Sequence, residues 1–187
     1  RLLLAVIHPT TQIKVPIMKL IFNKKQCFTV PEKLYQILSD ELVNVLTPEI
    51  DAEVIILTFR DPDYSSSAGG FHPVEVRLIK CMVDGEVNYQ FVYVTDFSFQ
   101  GSPYPELVVD IDVCFIAEQV YTIYGGWLDK TSGEELKELF LTNFISYVEM
   151  QVFEVEVTFY WPFYRQEIFK LNFIGNNHSH YAKQLKV

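Results

Sequence analysis

Two long runs of strand-forming residues, Val74 to Val83 and Glu86 to Asp96, are separated only by Asp84-Gly85. An Asp-Gly pair supplies the two positive-φ positions of a tight primed turn, whose twist matches that of the strands it joins. The two runs must therefore fold back on each other as an antiparallel hairpin, and the rest of the chain has to cover it. In the second arm Val87, Tyr89, Phe91 and Tyr93 alternate with Glu86, Asn88 and Gln90, the period of a half-exposed strand.

Other segments supply partners. Glu53 to Arg60 is almost continuously apolar, which suits a central strand buried on both faces. From Leu107 to Ala117 a strand is expected with Val109, Ile111, Val113 and Phe115 inward and Asp110 and Asp112 outward. Val120 to Tyr124 reads as a short strand stopped by Gly125-Gly126. Val152 to Trp161 reads as a closing strand, with Phe153, Val155, Val157 and Phe159 against Glu154, Glu156 and Thr158. Two helices complete the set. Thr29 and Pro31 open the first, from about Pro31 to Leu46, with Leu34, Ile37, Leu38, Leu42 and Val45 at helical spacing. Thr131 or Ser132 opens the second, with Leu136, Leu139, Phe140, Phe144, Tyr147 and Val148 as its stripe. Short turns between strands favour antiparallel pairing. The expected fold is α+β: a single antiparallel sheet of about five to six strands with two helices packed on one face.

With 187 residues, 49% of them hydrophobic, the chain can fill one core, so residues 29–161 are expected to form a single domain. Residues 1–28 read as an N-terminal extension with an edge-strand segment at Val15 to Asn23. Met18 resembles a natural start, which would make 1–17 an appendage. Pro162 opens a basic tail, 162–187, in which Arg165, Lys170, Lys183 and Lys186 face only Glu167, with room for an extra strand around Phe169 to Ile174. The net charge of −9 argues against nucleic-acid binding by bulk electrostatics, which needs a basic face. No apolar run is long enough to span a membrane. Cys27, Cys81 and Cys114 are odd in number and contain no Cys-x-x-Cys pair, which reads as reduced thiols in a cytoplasmic protein.

The charge-bearing residues concentrate between Phe59 and Arg77. Asp61-Pro62-Asp63 opens a turn, Ser65 to Ser67 continue it, Gly69-Gly70 permits close approach, and His72-Pro73 restarts an extended chain. Such a loop can simply cap its own backbone, or it can present side chains from two strands to a ligand. Phe59-Arg60-Asp61-Pro62-Asp63-Tyr64-Ser65 followed by Gly69-Gly70-Phe71-His72-Pro73-Val74-Glu75 resembles an uncharacterised bacterial family, the domain of unknown function 2787. Tyr93 to Phe97 and Asn143 to Val157 are similar to later parts of that family, and the resemblance spans about Thr29 to Phe159. It implies a small bacterial domain of a kind found on mobile elements, and it supplies neither an activity nor site residues.

The ligand-binding candidates are Arg60, Asp61, Asp63, His72, Glu75 and Arg77. Asp61, Asp63 and His72 offer donors that suit a divalent ion, with Asp96, Asp110 or Asp112 as additions from neighbouring strands. No motif of fixed metal-ligand spacing is present, however, so neither metal nor cofactor is assigned. Arg60, Arg77, Glu75 and Asp96 are expected to pair across strands. Ser65 to Ser67 and Cys81 lack a nucleophile elbow, Gly125-Gly126 lacks the context of a phosphate loop, and His178-Ser179-His180 is a chance pair in the tail. Trp127 and Trp161 are candidate interface anchors. The leading expectation is a non-enzymatic domain that binds a protein partner or a second copy of itself. The alternative is a small ligand-binding or metal-dependent hydrolytic enzyme centred on the Asp61–His72 loop.

Overall fold

A computed structural model of the chain describes residues 20–43, 45 and 52–161, together with the backbone of two short strands at 168–170 and 183–185. The elements run α1 (Glu32–Val43), β1 (Val54–Arg60), β2 (Val74–Val83), β3 (Glu86–Gln100), β4 (Glu106–Cys114), β5 (Gln119–Thr122), β6 (Gly126–Trp127), α2 (Lys130–Glu149), β7 (Glu154–Tyr160), β8 (Ile168–Lys170) and β9 (Lys183–Leu185).

The hairpin is the middle of a seven-stranded antiparallel sheet ordered β6-β5-β4-β3-β2-β1-β7. Asp84 and Gly85 both take positive φ, at 52° and 84°, as the primed turn demands. The fold class is as expected, but the sheet is wider than five to six strands. The strand expected at Val120 to Tyr124 is β5 and ends at Thr122, before the glycines; beyond the turn, Gly126 and Trp127 form β6, paired with Thr122 and Tyr121. β8 and β9 pair with each other as a separate two-stranded sheet; the rest of the segment expected as a strand at Phe169 to Ile174 lies outside the described residues, as do Val15 to Lys19.

Cross-strand partners define the faces. Phe59 pairs with Val74 and Leu78 with Phe91, so these residues share one face of the sheet. Phe144 of α2 meets Phe59 edge-on at 4.9 Å, and Tyr35 of α1 meets Phe91 at 5.7 Å. Both helices therefore cover the same face. The core is built from Leu34, Leu38 and Leu42 of α1, Leu141 and Phe144 of α2, and Ile55, Leu57, Val76, Leu78 and Phe159 of the sheet, all essentially sealed from water. At about 1.5–3 kcal/mol per fully buried side chain of this size, this layer is the main source of stability.

Several local expectations shift. α1 is shorter than expected, Glu32–Val43, and Leu46 lies outside the described residues. The cap of α2 is Asp129, not Thr131 or Ser132: its carboxylate accepts from the N–H groups of both. The inward stripe of α2 is Gly133, Lys137, Phe140, Leu141, Phe144 and Ile145, whereas Leu139 is largely exposed, at the mouth of a cavity beside the helix. Lys137 is buried because its ammonium reaches the Thr29 carbonyl and hydroxyl, at 3.1 and 3.2 Å, and pairs with Glu134. That contact ties the chain before α1 to α2. Residues 20–26 also run along the open edge of β3 beyond the end of β4, where Tyr89 N–H donates to Ile21 and the Gln26 amide brackets the backbone of Phe91.

Two β-bulges interrupt the ladders. Between β2 and β3 the register jumps from Arg77–Tyr93 to Leu78–Phe91, leaving Val92 as the extra residue. Tyr93 consequently lies on the face away from the helices, opposite to Tyr89 and Phe91, and not with them. Between β3 and β4 it jumps from Asp96–Ile111 to Phe97–Val109, leaving Asp110 unpaired. A bulge re-aims a side chain without ending the strand. It is the second bulge that builds the site.

Candidate functional site

The loop from Asp61 to Pro73 closes on Asp61. One carboxylate oxygen accepts from the Asp63 N–H and the other from the Phe71 N–H, each at 2.9 Å. Ser65 and Gly69 exchange two backbone hydrogen bonds inside that frame. Gly70 has φ +127°, and a Cβ there would lie 2.8 Å from Asp61 Oδ2 and 3.1 Å from Tyr64 Cα. Asp61 is buried and spends both oxygens on the backbone, so it acts as the loop's internal clasp. Asp63 points to solvent.

The clasp positions His72. Its Nδ1 lies 2.9 Å from Asp96 Oδ2 and 3.8 Å from Asp110 Oδ2. One face of the ring neighbourhood is set by Tyr64, 5.3 Å from His72, which itself stacks on Phe99 and accepts a hydrogen bond from the Phe99 N–H. Asp96 faces the helices because it pairs with Val74 and Ile111 on the core side of the sheet. Asp110 was expected to point outward with Asp112; the bulge turns it toward His72 instead. Asp112 stays on the far face, where it accepts from the Thr95 hydroxyl at 2.6 Å. Ligand atoms of His72, Asp96 and Asp110 all lie within 4.8 Å of one another.

Burial pushes the Asp96 carboxyl up to about 6; the neighbouring Asp110 charge adds to that rise, and the hydrogen bond to His72 opposes it. Burial also raises Asp112, against the pull of its bond to Thr95. On the far face Tyr93 is pushed up to about 12 by burial, then by its hydrogen bond to Glu75.

His72 and Asp96 line a cavity of about 370 Å³ between the sheet and α2. Its walls are apolar: Val74 and Ile111 from the sheet, Phe71 from the loop, Leu136, Phe140 and Phe144 from the helix, with Asn143 and Tyr147 as further polar groups. A wider depression of about 630 Å³ runs along α1; of its three charged lining residues, Lys24 and Glu32 are paired with each other and Asp40 stands apart. His72 and Asp96 converge at the α2 cavity, so chemistry favours the smaller space.

The six ligand-binding candidates do not meet. His72 enters the cavity, Asp61 holds the loop, and Asp63 is exposed. Arg60 ends β1 opposite Glu154. Glu75 and Arg77 alternate with Val74, Val76 and Leu78 and so lie on the other face, where Glu75 accepts from the Tyr93 hydroxyl and Arg77 sits 5.9 Å from the Tyr93 ring. The expected pairing among Arg60, Glu75, Arg77 and Asp96 is therefore split between two faces. Trp127 is exposed on β6 against Tyr121, whereas Trp161 packs against the core beside Phe159. Sequence spacing could not find the α2 wall, nor the bulge that brings in Asp110.

Among the described residues, no helix is long and apolar enough to cross a membrane. No curated protein matches the chain. Two solved structures from Vibrio cholerae are similar. The hypothetical protein VC0508 of the VSP-II pathogenicity island is 32% identical with a TM-score of 0.67, covering 75% of this chain and 99% of its own. The conserved hypothetical protein VC1805 of pathogenicity island VPI-2, described as sharing structural homology with the human P32 protein, is 28% identical with a TM-score of 0.59, covering 72% and 98%. Residues 32–158, which contain the loop, the bulge and the α2 wall, match the family described as protein of unknown function (DUF2787), and the chain belongs to that family.

Proposed function

We propose that this protein is a small-ligand-binding domain whose pocket is the cavity between α2 and the ends of β2, β3 and β4. The observation that carries this reading is the convergence of His72 and Asp96 at one end of a mostly apolar cavity. Apolar walls with a few placed polar groups are the usual composition of small-molecule sites, and about 370 Å³ suits a compact ligand. The ligand in this reading has an apolar body for Phe71, Leu136 and Phe140 and a polar head for His72 and Asp96. Binding is favoured over hydrolysis by a nucleophile, because none of the described lining residues is a serine, threonine or cysteine. The test is a fragment screen by ligand-observed NMR on the wild type and on Leu136→Trp, which fills the cavity from α2. Fragments that bind the wild type should lose binding in the variant. Binding unchanged by Leu136→Trp would sink the reading.

A second reading, self-association or docking of a partner protein, is favoured by the exposed rings of Tyr124 and Trp127 at the β5–β6 edge. Sedimentation of the wild type against Trp127→Ser tests it: an oligomer lost in the variant supports it, and a monomer at high concentration removes self-association.

A further inference from the structure

We propose that His72, Asp96 and Asp110 form a divalent transition-metal site at the polar end of the cavity, with its remaining coordination positions open toward the ligand. This inference deepens the pocket reading and rests on it only for what occupies those open positions.

The donor set is one imidazole and two carboxylates, a mixture that suits zinc, manganese or ferrous iron better than calcium or magnesium, which prefer oxygen alone. The three donors come from three different elements: the end of the loop, β3 and β4. Their proximity is therefore a product of the tertiary fold and not of a local turn. The 2.9 Å separation of His72 Nδ1 from Asp96 Oδ2 is about the spacing of two adjacent ligands on one small ion, since bonds of about 2.0–2.2 Å place them roughly 3 Å apart. Asp110 Oδ2 lies 3.8 Å from the same nitrogen, and the three donors all fall within 4.8 Å of one another.

Two features of the backbone make the arrangement more than a chance grouping. The β4 bulge gives up regular pairing at Asp110, and its consequence is a second carboxylate beside one that is already buried. Like charges so placed repel, and burial removes the water that would screen them. A doubly charged cation relieves both penalties at once. The Asp61 clasp, with Gly70 packed against it, fixes the loop that delivers His72. Asp61 is not grouped with these three donors; its oxygens hold the Asp63 and Phe71 N–H groups instead. Since His72 and Asp96 line the cavity, open positions on the ion would face it, where an oxygen or nitrogen on a small molecule can bind.

The experiment is calorimetric titration of the full untagged chain, stripped with a chelator, using zinc and then manganese. Saturable binding of one ion per chain is expected. Asp110→Asn, nearly isosteric and at the bulge, should weaken it by about a hundredfold, the upper end of what loss of even an outer partner costs a metal site. His72→Gln should do the same. A His178→Ala/His180→Ala variant should bind as the wild type does. The proposal is overturned if no saturable binding occurs, if Asp110→Asn binds unchanged, or if binding disappears with His178 and His180. Circular dichroism of each variant separates lost binding from lost fold. Fragment binding that Leu136→Trp abolishes, in a protein that takes up no ion, would leave the pocket reading standing and remove only the metal.

Discussion

Asp61 and Asp96 are buried to nearly the same degree, 8% and 7% exposed, and both sit beside the same loop. What surrounds them differs. Asp61 is satisfied by two backbone N–H donors and has Gly70 packed against it, with no space left over. Asp96 meets an ionisable ring, a second carboxylate and a cavity. Burial of a carboxylate therefore does not distinguish scaffold from site. The partners do: backbone donors fix a fold, whereas titratable partners and open space leave chemistry to be done.

The largest effect should come from breaking the scaffold side. Asp61→Ala strands the Asp63 and Phe71 N–H groups, and hydrogen bonds to a charged acceptor are worth roughly 1.5–3 kcal/mol each. A loss of about 3–5 kcal/mol is expected, read by urea unfolding at neutral pH, and His72 should lose its position as a consequence. A loss below about 1 kcal/mol would show that the loop holds its shape without the clasp.

Asp96→Asn should act in the opposite direction. The folded-state value of about 6 lies above the ordinary 3.8, so between those values the folded protein binds the proton more tightly than the unfolded chain. Stability from this group is full below about pH 4, falls as pH rises through the window, and is a net cost above about pH 6. The gap of about two pH units corresponds to an upper bound of about 3 kcal/mol. In ion-free protein the asparagine variant should be more stable than the wild type at pH 8, with the difference vanishing near pH 4. A variant less stable than the wild type at pH 8 would mean that the charge of Asp96 is well compensated.

The hairpin, the class of fold and most strands were legible because each rests on local information: a primed-turn dipeptide, period-two alternation, a helix opened by proline. What failed was longer in range. Gly126 and Trp127 carry too short a signal to announce a strand, and their pairing depends on Tyr121 and Thr122 already being in place. The bulges at Val92 and Asp110 are invisible in a periodic reading, which puts Tyr93 on the side of Tyr89 and Phe91 and Asp110 outward; one extra residue reverses each. The concentration of charge in the loop is legible in the sequence, but spacing alone pools its carboxylates. Only the register separates Asp61, which serves the backbone, from His72, which reaches Asp96 across the next ladder.

Gly70→Ala sharpens the comparison at smaller cost. The added Cβ is strained at φ +127° and falls within contact of Asp61 Oδ2 and the Tyr64 backbone. A destabilisation of about 2 kcal/mol is expected, in the range of unfavourable backbone conformations. Gly69→Ala is the control. It shares a positive φ, but nothing lies within 4 Å of its Cβ. Equal losses in the two variants would attribute the effect to backbone strain alone and detach Gly70 from the clasp.

The smallest change in stability, within about 0.5 kcal/mol, is expected for Asp110→Asn, a half-buried side chain that keeps its shape and its place in the bulge. Its effect should appear in titration instead. The Asp110 charge helps to raise Asp96, so neutralising it should lower the Asp96 midpoint from about 6, as followed by carboxyl carbon NMR in ion-free protein. The same change at Asp112 should leave that midpoint alone, because Asp112 is bonded to Thr95 on the far face of the sheet. If Asp112→Asn moved Asp96 as much as Asp110→Asn does, the bulge would not be what couples the two carboxylates. A selective response to Asp110 would show that one extra residue in β4 joins two strands into a site.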